Sequence, residues 1–174
     1  MNTDFNYSSV ASLIQAAEKN NLPVSALVLS QQAQQIELDE KTVYEKMASN
    51  FQVMKECIEP GCDEHLKSTS GLTGGDAYKL RRYSKEGKSL TGSFLSGALY
   101  RALAVSELNA SMGRIVAAPT AGSCGILPAA LITMQEEKGC SDHDCVMALY
   151  SRSAVWYGHC KQCLFSRRPG RMSG

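Results

Sequence analysis

The sequence predicts an all-α domain, interrupted by two loops rich in Gly, Ser and Thr. Three observations carry this. Apolar residues recur at helical spacing through most of the chain. No run of alternating apolar and polar residues is long enough for a strand; only Ile115–Ala118 has an extended character. Gly- and Pro-containing breaks fall between the helical stretches. At 174 residues the chain is long enough for one ordinary domain with a core.

The first helix is read from Val10, Leu13, Ile14 and Ala17, with Ser8 or Ser9 as cap and Asn20-Asn21 as its end. Pro23 suits the first turn of the second, whose apolar positions are Leu27, Leu29 and Ile36. The third opens near Asp39. Its face runs Val43, Met47, Phe51, Met54, Ile58, and Pro60-Gly61 stops it. Residues 59–76 are then a polar loop, followed by a helix carrying Ala77 and Leu80. Two helices are expected between Gly92 and Met112, with Phe94, Leu95, Leu99, Leu103 and Val105 as apolar positions. A further helix starts at about Ile126, and Ser141 or Asp142 caps one more through Val146 and Leu149.

Composition excludes several roles. With 18 basic and 17 acidic residues the formal net charge is +1, which gives no reason to expect nucleic acid or an acidic membrane surface as partner. Arg167, Arg168 and Arg171 are a local exception. The opening MNTDFNYSSV is no secretory signal, and no stretch approaches the roughly 18 apolar residues of a membrane span. The expectation is a cytoplasmic protein, whose seven cysteines are thiols or metal ligands rather than disulfides.

The two loops carry the chemistry. In Ser70-Gly71-Leu72-Thr73-Gly74-Gly75-Asp76 the paired glycines let backbone N–H groups converge on an anion. Ser70 and Thr73 add hydroxyls. Asp76 is placed to cap the next helix or to orient an amine. The bland alternative is a flexible turn ending in an Asp cap. In Ala117–Pro128, Thr120, Gly122 and Ser123 stand just before a helix whose free N–H groups and dipole favour a carboxylate or phosphate. Here the alternative is close helix packing through small residues, with Cys124 a small buried hydrophobe. Together the loops predict one pocket for a small anionic, hydroxyl-bearing ligand.

SGLTGGDAYKL and NASMGRIVAAPTAGSCGILPAALI, with GKSLTGSFLSGALYRALAVSELNA between them, closely resemble the alpha subunit of the iron–sulfur-dependent L-serine dehydratases. The likeness covers residues 40–150 well and the first forty more loosely. It implies a lyase that takes L-serine to an enamine, hence to pyruvate and ammonia, in amino-acid catabolism. It implies a [4Fe–4S] cluster acting as Lewis acid on the leaving hydroxyl, no pyridoxal phosphate, and a separate serine dehydratase beta subunit as partner. It also makes Ser70, Thr73, Gly74, Gly75, Asp76, Thr120, Gly122 and Ser123 candidates for substrate binding, with the general base unassigned. The family's cluster cysteines lie downstream of the APTAGSCGILP stretch. None of Cys57, Cys62, Cys124, Cys140 or Cys145 matches one, so no metal ligand is assigned.

The expected domain boundary is therefore 1–150 for the N-terminal part of a serine dehydratase alpha-type domain, incomplete at its C-terminus, and 151–174 for an unmatched tail. Reverse translation of Trp156–Gly174 with a one-base shift permits an Asn-Ala-Ser run and a final Gly-Gly-Cys-Gln, both in the family's order. A frameshift between Tyr150 and Trp156 is the expectation. The tail would be poorly ordered or helical without a selected pattern. His159, Cys160 and Cys163 would then be accidents of frame, and the chain as written inactive. Two other readings stand beside the enzyme: a non-catalytic helical module that binds a small acid, and a Cys/His metal-binding protein using the tail.

Overall fold

The computed structural model describes residues 9–166, with side chains as far as Val155. All regular structure among the described residues is helical: α1 Val10–Asn20, α2 Val24–Gln35, α3 Glu40–Glu56, α4 Ile58–Gly61, α5 Asp76–Lys85, α6 Gly92–Ala110, α7 Ser123–Lys138 and α8 Asp142–Ser166. The all-α class holds, and Ile115–Ala118 forms no strand.

Local signals set most boundaries. Ser9 caps α1 in a reciprocal pair with Ser12, each side chain accepting from the other's backbone N–H. Asn21 ends it in the left-handed region at φ 50°. Pro23 is the N-cap of α2, and Asp39 Oδ2 accepts from Thr42 N at 2.9 Å at the start of α3. Ser141 Oγ accepts from Asp144 N to open α8.

Three boundaries depart from the sequence reading. The third helix does not reach Ile58: it ends at Glu56, and Ile58–Gly61 form the separate turn α4. Pro60 lacks an N–H, so it fits the first turn of a new helix better than the interior of a long one. Between Gly92 and Met112 there is one helix, not two. Its only internal glycine, Gly97, is buried in packing and does not break it. The α7 helix starts at Ser123, three residues earlier than expected, so Cys124 and Gly125 lie in its first turn.

The chain forms two compact units, residues 1–47 with 146–174, and residues 48–145. In the first, Leu13, Leu27, Val28, Val43, Val146, Leu149 and Tyr150 are buried. Tyr150 Oη donates to Val43 O at 2.9 Å, which satisfies a phenol with no access to water. In the second, α4, α5 and α7 all pack on α6. That fits a helix with apolar residues on every side. Its core holds Phe51, Met54, Ala104, Val105, Leu108, Ala129 and Ile132.

One ion pair in this unit is buried at one end. Arg101, 5% exposed, lies 4.7 Å from the Tyr100 ring centroid. It donates to Thr133 Oγ1 at 3.1 Å and to Glu136 on α7. It ties α7 to the middle of α6.

Candidate functional site

Both motif loops are mounted on the last turns of α6. The first loop leaves α4 and returns at α5. It is held by its own hydrogen bonds: Ser68 N donates to Thr73 O at 2.8 Å, and Thr73 N to Ser68 Oγ at 3.2 Å. Thr69 N donates to Ala110 O at 3.0 Å, which ties the loop to the end of α6. Gly74 and Gly75 have φ of +140° and +82°. A Cβ at Gly74 would stand 2.1 Å from Leu66 O, so only glycine fits there.

The converging N–H groups expected at these glycines are present, and a carboxylate sits on them. It belongs to Glu107 of α6. Glu107 is only 7% exposed. Its Oε2 accepts from Gly75 N at 3.0 Å and its Oε1 from Asp76 N at 2.9 Å, while Ala77 N is 3.4 Å from both oxygens. Glu107 thus satisfies the first turn of α5 from another helix. Asp76 is not the cap: the N-cap is Gly75, with no side-chain cap bond of its own. The Asp76 carboxylate stands at the surface and pairs with Lys79 at 3.0 Å. Ser70 Oγ shares a hydrogen bond with Ser68 Oγ at 3.2 Å, and the exposed Thr73 side chain lies in the same loop.

The second loop is closed by Thr120 and Ser123. Thr120 N donates to Ser123 Oγ at 3.1 Å, and Ser123 Oγ donates to Thr120 O at 2.7 Å. The loop opens on a cleft of about 310 Å³ lined by Val105, Ser106, Asn109, Ile115, Ala121, Gly122, Cys124 and Gly125. Of the predicted residues only Gly122 lines it. Thr120 is exposed beside it, and Ser123 is turned into its own loop. Gly125 brings α7 onto α6: a Cβ there would be 2.9 Å from Ala102 O. Ala118 N donates to Cys124 Sγ at 3.3 Å.

The structure therefore gathers Ser70, Thr73, Gly74, Gly75 and Asp76 on one side of α6, and Thr120, Gly122 and Ser123 beside another. The cleft of the second loop has no first-loop residue in its lining. Sequence reasoning passed over Glu107, Ser106 and Asn109. A signal existed for Glu107: it is the only charged residue between Arg101 and Arg114. Ser106 and Asn109 are three apart, hence on one helix face.

Burial pushes Cys57 up to about 11 and raises Cys62 and Cys145 as well, which disfavours the thiolate form. The sulfurs of Cys57, Cys145 and Cys124 have separate backbone neighbours: Met54 O, Leu131 O and Ala118 N. Among the described residues no group of three or more His, Cys, Asp or Glu is placed to hold a metal. They do not fit an iron–sulfur cluster. The side chains of His159, Cys160 and Cys163, and the whole of Arg167, Arg168 and Arg171, lie outside the described residues. Among the described helices none is long and apolar enough to cross a membrane.

Residues 19–163 match the serine dehydratase alpha chain family. The match includes both loops and all of α5, α6 and α7. This chain belongs to that family. The match also passes residue 150, where the resemblance read from the sequence stops. The chain is 33% identical over 151 residues to the probable L-serine dehydratase alpha chain of Bacillus subtilis (strain 168), covering 87% of this chain and 50% of that protein. It is 33% identical over 125 residues to the L-serine dehydratase alpha chain of Peptoniphilus asaccharolyticus, covering 72% and 43%. Against L-serine dehydratase 2 of Escherichia coli (strain K12) it is 35% identical over 135 residues, covering 72% and 28%. The chain thus spans half or less of the length of these relatives.

Proposed function

We propose that this chain supplies the substrate-binding part of an iron–sulfur L-serine dehydratase, the enzyme that eliminates water from L-serine to give pyruvate and ammonia. The observation that carries the reading is that both loops within the family match are fixed to the same end of one helix, α6. The cleft between α6 and the second loop suits a molecule of serine's size and polarity. Ser106 and Asn109 supply polar groups there, and the start of α7 favours a carboxylate. Ser70, Thr73 and Asp76 of the first loop line no part of that cleft and are given no contact with the serine carboxylate. The cluster, supplied outside the described residues, would take up leaving-group charge. A serine dehydratase beta subunit is the proposed partner.

The described thiols form no cluster set, so the reading gives this chain the binding part of the reaction. Titrating the purified chain with L-serine is expected to raise its melting temperature saturably, and equal D-serine to do so less. Anaerobic iron and sulfide are expected to yield neither cluster absorbance nor pyruvate from this chain alone. Indifference to L-serine overturns the binding role; pyruvate from the isolated chain overturns the division of labour.

A further inference from the structure

We propose that Glu107 is a positioning residue of the serine site: its carboxylate is the anion that the first loop is built to hold. The inference rests on the proposed function for the identity of the ligand, but its first step stands on geometry alone.

The Gly74-Gly75 backbone is committed to a conformation that presents the first N–H groups of α5 to a single point. Glu107 is more than nine-tenths buried and reaches that point with both oxygens, accepting from Gly75 and Asp76 at 3.0 and 2.9 Å. No Lys, Arg or His pairs with it among the described residues, so its charge is compensated by N–H groups and by the start of α5. An outside carboxylate would have to displace it to use the same donors. The first loop is thereby closed to a ligand's carboxylate, which is left to the cleft of the second loop. Glu107 also sits in sequence between Ser106 and Asn109, which line that cleft. One side chain therefore joins the first loop to the helix that forms a wall of the second. Gly74 and Gly75 serve this clamp and touch no substrate.

Two variants test it. Glu107→Ala leaves a gap the size of acetate. Acetate, against chloride at equal ionic strength, is expected to raise the melting temperature of Glu107→Ala by more than that of the parent or of Glu107→Gln. A buried side chain that merely fills space gives no such rescue, so equal gains in all three overturn the clamp. Glu107→Gln keeps size and one acceptor oxygen, but turns N–H₂ toward donors. Its dissociation constant for L-serine, read by calorimetry, is expected to rise on the order of tenfold. Affinity equal to the parent's overturns the positioning role, including the case in which Glu107→Ala does not fold. If the parent binds no L-serine the proposed function fails, while acetate rescue still decides whether the clamp exists.

Discussion

At the scale of single residues, the glycines and hydroxyls of both loops were legible because their chemistry is local. Glu107 was not: its partners Gly75 and Asp76 are 32 and 31 residues away in sequence, and no local pattern encodes that pairing. Asp76 was legible as a helix start but does not cap it, because a carboxylate from another helix already occupies the donors it would have served. Cys57 offers a residue-scale test. Its usual value is 9.0, and burial pushes it to about 11. The fold therefore favours the neutral thiol. Its contribution to stability is fully present below the unfolded value and is lost as pH rises from 9.0 toward about 11. Urea midpoints measured across that window should fall more steeply for the parent than for Cys57→Ala; parallel slopes would sink the assignment.

At the scale of elements, periodicity located the helices, and caps fixed the ends of α1, α2 and α8. It failed where tertiary packing decides. Nothing local says that Gly97 lies inside a helix, since glycine lowers helix propensity wherever it stands; the partner helices on several sides of α6 hold it there. The same applies to Ser123, Cys124 and Gly125, which look like loop but join α7. Gly125 is the point of closest approach. Gly125→Ala gains about 1 kcal/mol in helix propensity, but its Cβ meets the backbone oxygen of Ala102 at 2.9 Å. Overpacking of that kind costs about 1–3 kcal/mol. We expect a net loss on the order of 1 kcal/mol in denaturant titration. Gly122→Ala, whose nearest neighbour is 4.0 Å away, should be close to neutral. Equal effects for the two would remove the close contact from the account.

At the scale of the whole molecule, the helical class and the family were both legible, the first from spacing and the second from two long motifs in order. The cleft's lining was not, since it is drawn from α6, the loop that follows it and the first turn of α7. The tail supplies a molecular test that needs no protein. Our reading places a one-base shift between Tyr150 and Trp156, although the family match runs to residue 163. Sequencing the coding strand should show an alternate frame ending in Gly-Gly-Cys-Gln; any other spelling ends that reading. The arrangement of the units has a consequence in time. Residues 48–145 form a continuous stretch, whereas the other unit joins residues 1–47 to a segment that begins at 146. On the ribosome the central stretch can fold as it emerges, but the early helices must wait for a partner about a hundred residues later. Until Tyr150 has left the exit tunnel and reached Val43, the apolar faces of α1 and α2 are the part of the nascent chain most in need of a chaperone.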